Sequence, residues 1–209
     1  MILGIKTPTP YQRPSGLVLG FHGCDREVGE KVLSGDVPHL SMSKNDYDWL
    51  GEGIYFWEND PQRALEFATE AMNNTKTTKG KIKEPFVVGA IIDLGVCLNF
   101  LERQALDELK MAHDFMKATF KPTAGKSFPT NGKDRGARNL DSAAITMVHS
   151  LRKSISSPQN PLPEYCSVKG AFWEGGELYP GAGFDAKNHI QIAVRKPEIC
   201  IKGYFRPIL

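Results

Sequence analysis

The sequence predicts an α+β domain, because strand patterns stand at both ends of the chain and helical patterns lie between them. Residues 17–23 and 53–57 are short apolar segments bounded by glycine, and residues 189–195 alternate apolar and polar side chains. Residues 61–73 and 101–120 carry apolar side chains at helical spacing. We therefore expect the first and last strands to meet in the middle of the molecule, with helices around them.

The composition is that of one ordinary globular domain. The 209 residues are 41% hydrophobic and 24% charged, which suits a single domain with a substantial core. The formal net charge is +2, so the charge balance alone does not indicate a polyanionic partner.

The cysteines and the chain start predict a cytoplasmic protein. The four cysteines lie far apart and form no Cys-x-x-Cys pair, which argues against a zinc site and against a disulfide scaffold. Residues 1–6 are too short an apolar start for a signal peptide, and no apolar run reaches membrane-spanning length. We expect no bound metal and no membrane contact.

Two helices are marked by their terminal residues. Asp25 is placed to cap a helix that Gly35 closes, since aspartate accepts hydrogen bonds from the first turn and glycine adopts the left-handed C-cap. Asp60 precedes Pro61, a residue favoured at the first helical position, so a second helix is expected from residue 61.

The rest of the chain returns to strands. Residues 86–94 form the most apolar segment and predict a central strand buried on both faces. A helix is expected after Asp141, strands over 165–174 and 199–205, and a glycine-rich loop over 175–187.

Two segments are rich in lysine and arginine. Residues 76–83 hold four lysines and no acid, and residues 121–139 hold five basic residues against Asp134 alone. Each segment is either a solvated loop or a contact surface for an anionic target.

The chain is organised around residues 50–57, Leu-Gly-Glu-Gly-Ile-Tyr-Phe-Trp. A Gly-x-Gly pair lets the backbone approach a bulky flat ligand, and the aromatic rings offer it a face. A buried strand after a tight turn explains the same residues.

Three motifs in order resemble the ADP-ribosyltransferase superfamily. Phe21-His22-Gly23, then Gly-x-Gly-Ile-Tyr55-Phe, then a late strand with Gln191 are similar to the diphtheria-toxin and poly(ADP-ribose)-polymerase-like branch. That branch has His-Gly, Gly-x-Gly-Ile/Phe-Tyr-Phe and a late glutamate at these places. The likeness covers residues 20–72 and 188–205. The middle has no counterpart, so we interpret the chain as one domain, 1–209, with a helical and basic-loop insertion around 101–160.

The resemblance implies a fold and a substrate. The fold would be α+β, with two packed, mostly antiparallel sheets around an NAD cleft and flanking helices. NAD would be a substrate, and no metal would be needed. Because breaking the bond between nicotinamide and ribose builds positive charge on the sugar, the site must hold the ring still and stabilise that charge.

The resemblance also assigns roles to motif residues. His22 would hydrogen-bond a ribose hydroxyl of the adenosine half, and the Gly23 backbone would hold the nicotinamide carboxamide. Tyr55 would stack on the nicotinamide ring. A satisfied buried histidine and a core tyrosine are the structural alternatives for His22 and Tyr55.

Several further residues are candidates for binding NAD. Ser41 or Ser43, together with Asn45, sits where a phosphate or ribose contact would arise, or these are turn residues. Phe67 or Trp57 would replace a second aromatic wall that the family carries. Arg63 would approach the pyrophosphate or lie in solvent.

Gln191 stands where the polymerase-like members place their glutamate. An amide still hydrogen-bonds a ribose hydroxyl, but it cannot ionise, so it stabilises a cation less and cannot deprotonate an acceptor. Glu174 and Glu177 lie in the loop that recognises the acceptor in this superfamily. They either supply the missing carboxylate or are solvated loop acids.

The function that the resemblance implies is mono-ADP-ribosyl transfer from NAD to a macromolecular acceptor, protein or nucleic acid. Small free-standing domains of this type resemble bacterial toxins or phage-defence effectors, so an antitoxin or immunity partner is expected. NAD glycohydrolysis and a catalytically silent NAD- or ADP-ribose-binding module remain alternatives. The RNA 2′-phosphotransferases share the fold, but the arginine set that they need has no evident counterpart in this sequence.

Overall fold

The computed structural model describes residues 16–74, 82–123, 125, 127–132 and 136–209. Its elements, in chain order, are β1 (Leu17–Asp25), α1 (Arg26–Ser34), β2 (Ile54–Glu58), α2 (Pro61–Asn73), β3 (Pro85–Asp93), β4 (Cys97–Asn99), α3 (Arg103–Thr119), α4 (Asn139–Ile155), β5 (Ser167–Phe172), β6 (His189–Val194), α5 (Pro197–Cys200) and β7 (Ile201–Phe205). The predicted α+β class is confirmed.

The seven strands form one mixed, open sheet in the order β4-β5-β6-β2-β1-β3-β7. All neighbours are antiparallel except β4 and β5. The expectation of mostly antiparallel strands is confirmed, but the expectation of two packed sheets is wrong. β1 and β2 share two register pairs, and this short ladder joins the two halves of the sheet edge to edge instead of leaving them face to face.

The first and last strands do not meet. β7 pairs with β3 at the edge of the sheet, whereas β1 lies between β2 and β3. The most apolar strand, β3, takes the place beside β1 and pairs with it along nine residues. Val88, Ala90 and Ile92 on one face and Val87 on the other are at most 1% exposed, but Ile91 is 37% exposed. Burial on both faces is therefore confirmed at Val87 and not at Ile91, where β3 lies one strand from the edge.

The helix ends follow the capping residues. The Asp25 carboxylate accepts a hydrogen bond from Glu27 N (3.0 Å), and Gly35 adopts φ 83° at the end of α1. Asp60 accepts from Arg63 N (2.9 Å), and Pro61 is the first residue of α2. Both predicted helices are confirmed at their N-termini because capping is a local interaction.

Helices cover both faces of the sheet. On one face α1 packs so closely on β3 that a Cβ at Gly29 would lie 2.3 Å from Phe86. On the opposite face α2 covers Phe21 and Trp57, while α3 and α4 cover β4, β5 and β6. The aromatic motif on β2 therefore contributes side chains to both layers.

The segment expected to be an insertion forms α3 and α4 and contributes Ala112, Ile145 and Val148 to the core. It connects β4 to β5, which pair in parallel. Its status as an insertion stays a prediction. Within the two basic segments, residues 76–81, 124, 126 and 133–135 lie outside the described residues. In the described part of the chain, every helix is too short or too polar to cross a membrane.

Candidate active site

The ladder between β1 and β2 stops after two residues. Phe21 pairs with Trp57, and the next residues of β1 form no register pair with β2, although β2 continues along β6 and β1 continues along β3. The His22 imidazole spans this gap, with Nδ1 2.7 Å from the carbonyl oxygen of Tyr55. One side-chain hydrogen bond thus joins the first two sequence motifs where backbone pairing ends.

The partner of His22 fixes its tautomer. A carbonyl oxygen can only accept, so Nδ1 carries the proton and donates it to Tyr55. Burial lowers the pKa of His22, and the hydrogen bond to the carbonyl opposes that shift in part. The ring is therefore neutral near pH 7, and Nε2 keeps its lone pair as an acceptor.

The Tyr55 hydroxyl is fully used inside the protein. It accepts from Leu50 N (2.9 Å) and donates to Gly51 O (2.6 Å), so the phenol holds the turn that precedes β2. Gly51 has φ 76°, a conformation that favours glycine. Burial raises the pKa of Tyr55, and the phenol stays protonated.

Gln191 lies opposite Trp57 on β2 and opposite Gly170 on β5. Since paired residues share a sheet face, Gln191, Trp57 and Tyr55 project to the same side. The His22 ring instead packs against Phe56, at 5.8 Å between centroids, on the other side. The three motif residues thus surround one interruption in the sheet, with His22 on one face and the other two on the opposite face.

Beside Gln191 lies a group that we call the Arg63 cluster, in which Trp57, Arg63 and His189 are buried and Phe172 and Glu174 are partly buried. Arg63 Nη2 donates to Glu174 Oε2 (2.7 Å), and the guanidinium carbon lies 5.7 Å from the Trp57 ring centre. The His189 ring stacks on Phe172 at 5.9 Å and lies 6.2 Å from Trp57. Arg63 and Glu174, which are 111 residues apart in the sequence, are in contact here.

Four polar atoms of the Arg63 cluster are buried and have no hydrogen-bond partner among the described residues: Trp57 Nε1, Arg63 Nε, Arg63 Nη1 and His189 Nε2. The first three are donors. His189 Nδ1 donates to Lys187 O (2.7 Å), so Nε2 is an acceptor in the neutral ring. Burial holds the pKa of His189 below its usual range. Because unpaired buried polar groups cost free energy, this cluster is suited to oxygen atoms and hydroxyls of a ligand.

The sequence analysis did not select His189 as a site residue. The alternation of β6 could have identified it, because a residue two positions before Gln191 lies on the same face of the sheet. Trp57 was expected only as an aromatic wall, and Phe67 indeed packs on it at 5.0 Å between ring centres.

The turn residues have partners of their own. Asn45 Nδ2 donates to Ser43 Oγ (2.9 Å) and to Asp48 Oδ1 (3.2 Å), and the Ser43 backbone pairs with Gly53. Their side chains hold the turn, which favours the turn reading of Ser43 and Asn45.

Gly23 is required by helix packing. A Cβ at this position would lie 2.1 Å from the carbonyl oxygen of Ala64 in α2, so the close approach that the glycine permits is made by the helix.

Glu174 and Glu177 have different surroundings. The Glu174 side chain is 37% exposed and is tied to Arg63. Glu177 is exposed and accepts from Gly181 N (3.0 Å) within its own loop. Among the described residues, no group of three or more histidine, cysteine or acidic side chains is arranged to hold a metal. Comparison of the chain with protein-family models, with curated proteins and with solved structures finds no match.

Proposed function

We propose that the protein is an NAD-dependent mono-ADP-ribosyltransferase of the α+β, ADP-ribosyltransferase-like kind. The observation that carries the proposal is the interrupted ladder between β1 and β2, where the His22 and Tyr55 motifs are joined by one hydrogen bond of 2.7 Å. Two motifs that are distant in sequence and share a resemblance to one superfamily meet at one interruption in the sheet.

The placement of side chains on two faces suits an extended ligand. The resemblance gives His22 to the adenosine half of NAD and gives Tyr55 and Gln191 to the nicotinamide half. His22 Nε2 is an acceptor for a ribose hydroxyl. The unpartnered N–H groups of Arg63 and Trp57 are donors for pyrophosphate or carboxamide oxygens.

The chemistry breaks the bond between the nicotinamide nitrogen and the ribose carbon. The electron pair leaves with nicotinamide, and an acceptor nucleophile attacks the cationic sugar carbon and releases its proton. Gln191 offers an amide dipole to the forming cation, and that proton goes to solvent or to a carboxylate such as Glu174. Glu174 becomes available only when its ion pair with Arg63 opens.

The proposal is tested with NAD labelled on the adenylate part, incubated with purified protein and cell lysate, with and without nuclease. We expect nicotinamide release and a labelled macromolecule. Label lost on nuclease treatment identifies a nucleic acid acceptor, and label that persists identifies a protein.

Gln191→Ala is the variant to test, because the amide makes no hydrogen bond among the described residues and alanine keeps the backbone pairing of β6 with β2 and β5. Loss of one transition-state contact should slow nicotinamide release by about 100-fold. Gln62→Ala, at an exposed position of α2, is the control and should leave the rate unchanged.

Two results would reject transfer. Free ADP-ribose without labelled macromolecule means a glycohydrolase, with which the neutral Gln191 is compatible because water needs little positioning. Saturable NAD binding without nicotinamide release over hours means a silent binding module.

A toxic effector role, held in check by an antitoxin or immunity partner, extends the proposal. Its support is the resemblance alone. Growth arrest on expression of the parent chain, but not of Gln191→Ala, is the expected result, and equal growth of both strains contradicts it.

A further inference from the structure

A polar pocket lies at the C-terminal end of β6, away from the candidate active site, and we call it the α4 pocket. Its volume is about 360 Å³, within the range of small-molecule sites. It is lined by Glu52, Thr146, His149, Ser150, Arg152, Lys153, Glu164, Tyr165 and Arg195. Arg195 is four residues beyond Gln191, roughly 13 Å along an extended strand, so the α4 pocket is separate from the candidate active site.

Each carboxylate of the α4 pocket forms its ion pair with a lysine that lies outside the pocket. Glu164 pairs with Lys196 at 2.6 Å, and Glu52 pairs with Lys44 at 2.9 Å. Neither Lys44 nor Lys196 lines the pocket. Among the described residues neither acid lies within salt-bridge distance of a cation of the pocket wall, although both attract Arg195 at longer range.

Of the three cations in the pocket wall, Arg152, Lys153 and Arg195, the first already has partners within the protein. Arg152 donates to Pro163 O (2.7 Å) and to Tyr165 Oη (3.2 Å), and it lies 3.7 Å from the buried Glu108 carboxylate. Arg195 donates to Tyr165 O (2.9 Å), a backbone carbonyl, and neither Arg195 nor Lys153 has a carboxylate partner among the described residues. These two side chains give the α4 pocket a positive charge.

His149 contributes the unsatisfied group. Both ring nitrogens are buried and have no partner in the described part of the chain. Burial, followed by the charges of Arg195 and Arg152, lowers the pKa of His149 to about 3, so the ring is neutral and offers one donor and one acceptor.

We propose that the α4 pocket binds a small molecule through a phosphate group. Arg195 and Lys153 supply charge-assisted hydrogen bonds to phosphate oxygens, and the protonated nitrogen of His149 supplies a third donor from another direction. A phosphate occupies only part of the volume, and the remaining space beside Thr146 and Ser150 takes the body of the ligand. The site is independent of NAD chemistry.

The proposal is tested by titrating inorganic phosphate into the protein at constant ionic strength while the ring ¹⁵N signals of His149 are followed by NMR. We expect saturable shifts and a rise in the His149 pKa, because a nearby dianion favours the imidazolium. The His149 pKa is read from pH titrations without phosphate and at saturating phosphate; Glu52, Glu164, Arg152, Lys153 and Arg195 also face this ring, and their effect is common to both titrations.

Arg195→Gln should weaken phosphate binding by about tenfold or more, because a charge-assisted contact is lost. Lys153→Gln, at an exposed position of α4, should weaken it about threefold without risk to the fold. Lys110→Gln on α3, a lysine paired with Asp114, is the control and should bind phosphate like the parent. Unchanged His149 signals, or equal phosphate affinity in Lys153→Gln and Lys110→Gln, would overturn the proposal.

Discussion

The turn before β2 and the Arg63 cluster are built from similar polar residues but differ in what folding leaves unpaired. In the turn, the Tyr55 hydroxyl, the Asn45 amide and the Ser43 backbone all have partners inside the protein. In the Arg63 cluster, three buried donors of Trp57 and Arg63 have no partner in the part of the chain that the structure describes.

This difference separates structural from functional polar groups. A satisfied hydrogen bond adds about 1 kcal/mol to the free energy of unfolding, whereas an orphaned buried donor costs about 1–3 kcal/mol. Polar groups whose hydrogen bonds stabilise the fold need no ligand to explain them. Buried donors without partners do need one, and this points to Arg63 as a ligand-binding residue more strongly than to Tyr55, although Tyr55 carries the stronger sequence motif.

Arg63→Met is expected to have the largest effect on activity. Methionine has a similar length and no donors, so nicotinamide release should fall by about 100-fold. The free energy of unfolding should stay the same or rise by about 1–2 kcal/mol, because a buried charge with orphaned donors is removed and Glu174 is exposed enough to be hydrated.

Steady-state nicotinamide release and urea unfolding measure both quantities for Arg63→Met. Arg103→Met, whose side chain is 88% exposed on α3, is the control. A loss of about 3 kcal/mol in stability with unchanged activity would show that Arg63 belongs with the structural groups.

Tyr55→Phe should show the opposite pattern. The variant keeps the ring but leaves Leu50 N and Gly51 O without their partner, so the free energy of unfolding should fall by about 2 kcal/mol. Nicotinamide release should stay within about threefold of the parent, because stacking needs the ring and not the hydroxyl. Tyr204→Phe is the control, since its hydroxyl contacts are longer, at 3.3 and 3.5 Å. A stable Tyr55→Phe without activity contradicts this assignment.

His149 extends the comparison to the α4 pocket, because a buried neutral histidine makes the free energy of unfolding depend on pH. Its folded pKa, about 3, lies below the unfolded value near 6.5, so the unfolded state binds a proton that the folded state refuses. Stability is therefore lost as pH falls below about 6.5, by about 1.4 kcal/mol per pH unit for one proton. His149→Gln should flatten the slope of unfolding free energy between pH 6 and pH 4 by about one proton. Parallel slopes for parent and variant, measured by urea unfolding, contradict the burial of a neutral His149.

Local signals predicted the elements well, and long-range pairing was where prediction failed. Asp25, Gly35 and Asp60 marked helix ends because a cap is formed within one turn of chain. Strand β4 was not anticipated, because Cys97–Asn99 is a strand only through its parallel pairing with residues about seventy positions later. The expectation of two sheets was wrong for the same reason, because only two register pairs between β1 and β2 join the strands into one sheet.

The motifs predicted the strands that carry Tyr55 and Gln191, and the part of these residues in a site stays a prediction that rests on the resemblance. Which nitrogen of His189 lacks a partner depends on Phe172, Lys187 and α2 together, and no short stretch of sequence encodes that. The role of Gly23 was also set from outside its motif, by a carbonyl of Ala64.

Glu177→Gln is expected to have the smallest effect. Glu177 is exposed and its carboxylate accepts one hydrogen bond from Gly181 N, four residues away, which a glutamine oxygen also accepts. The free energy of unfolding should change by less than about 0.5 kcal/mol and nicotinamide release should not change. Glu174→Gln, the matched variant in the same loop, weakens the ion pair to Arg63 and should alter the KM for NAD. Equal behaviour of the two variants in urea unfolding and in nicotinamide release would mean that the loop acids act only as solvated charges. In that case the contact between Arg63 and Glu174 would lose its place in the proposed site.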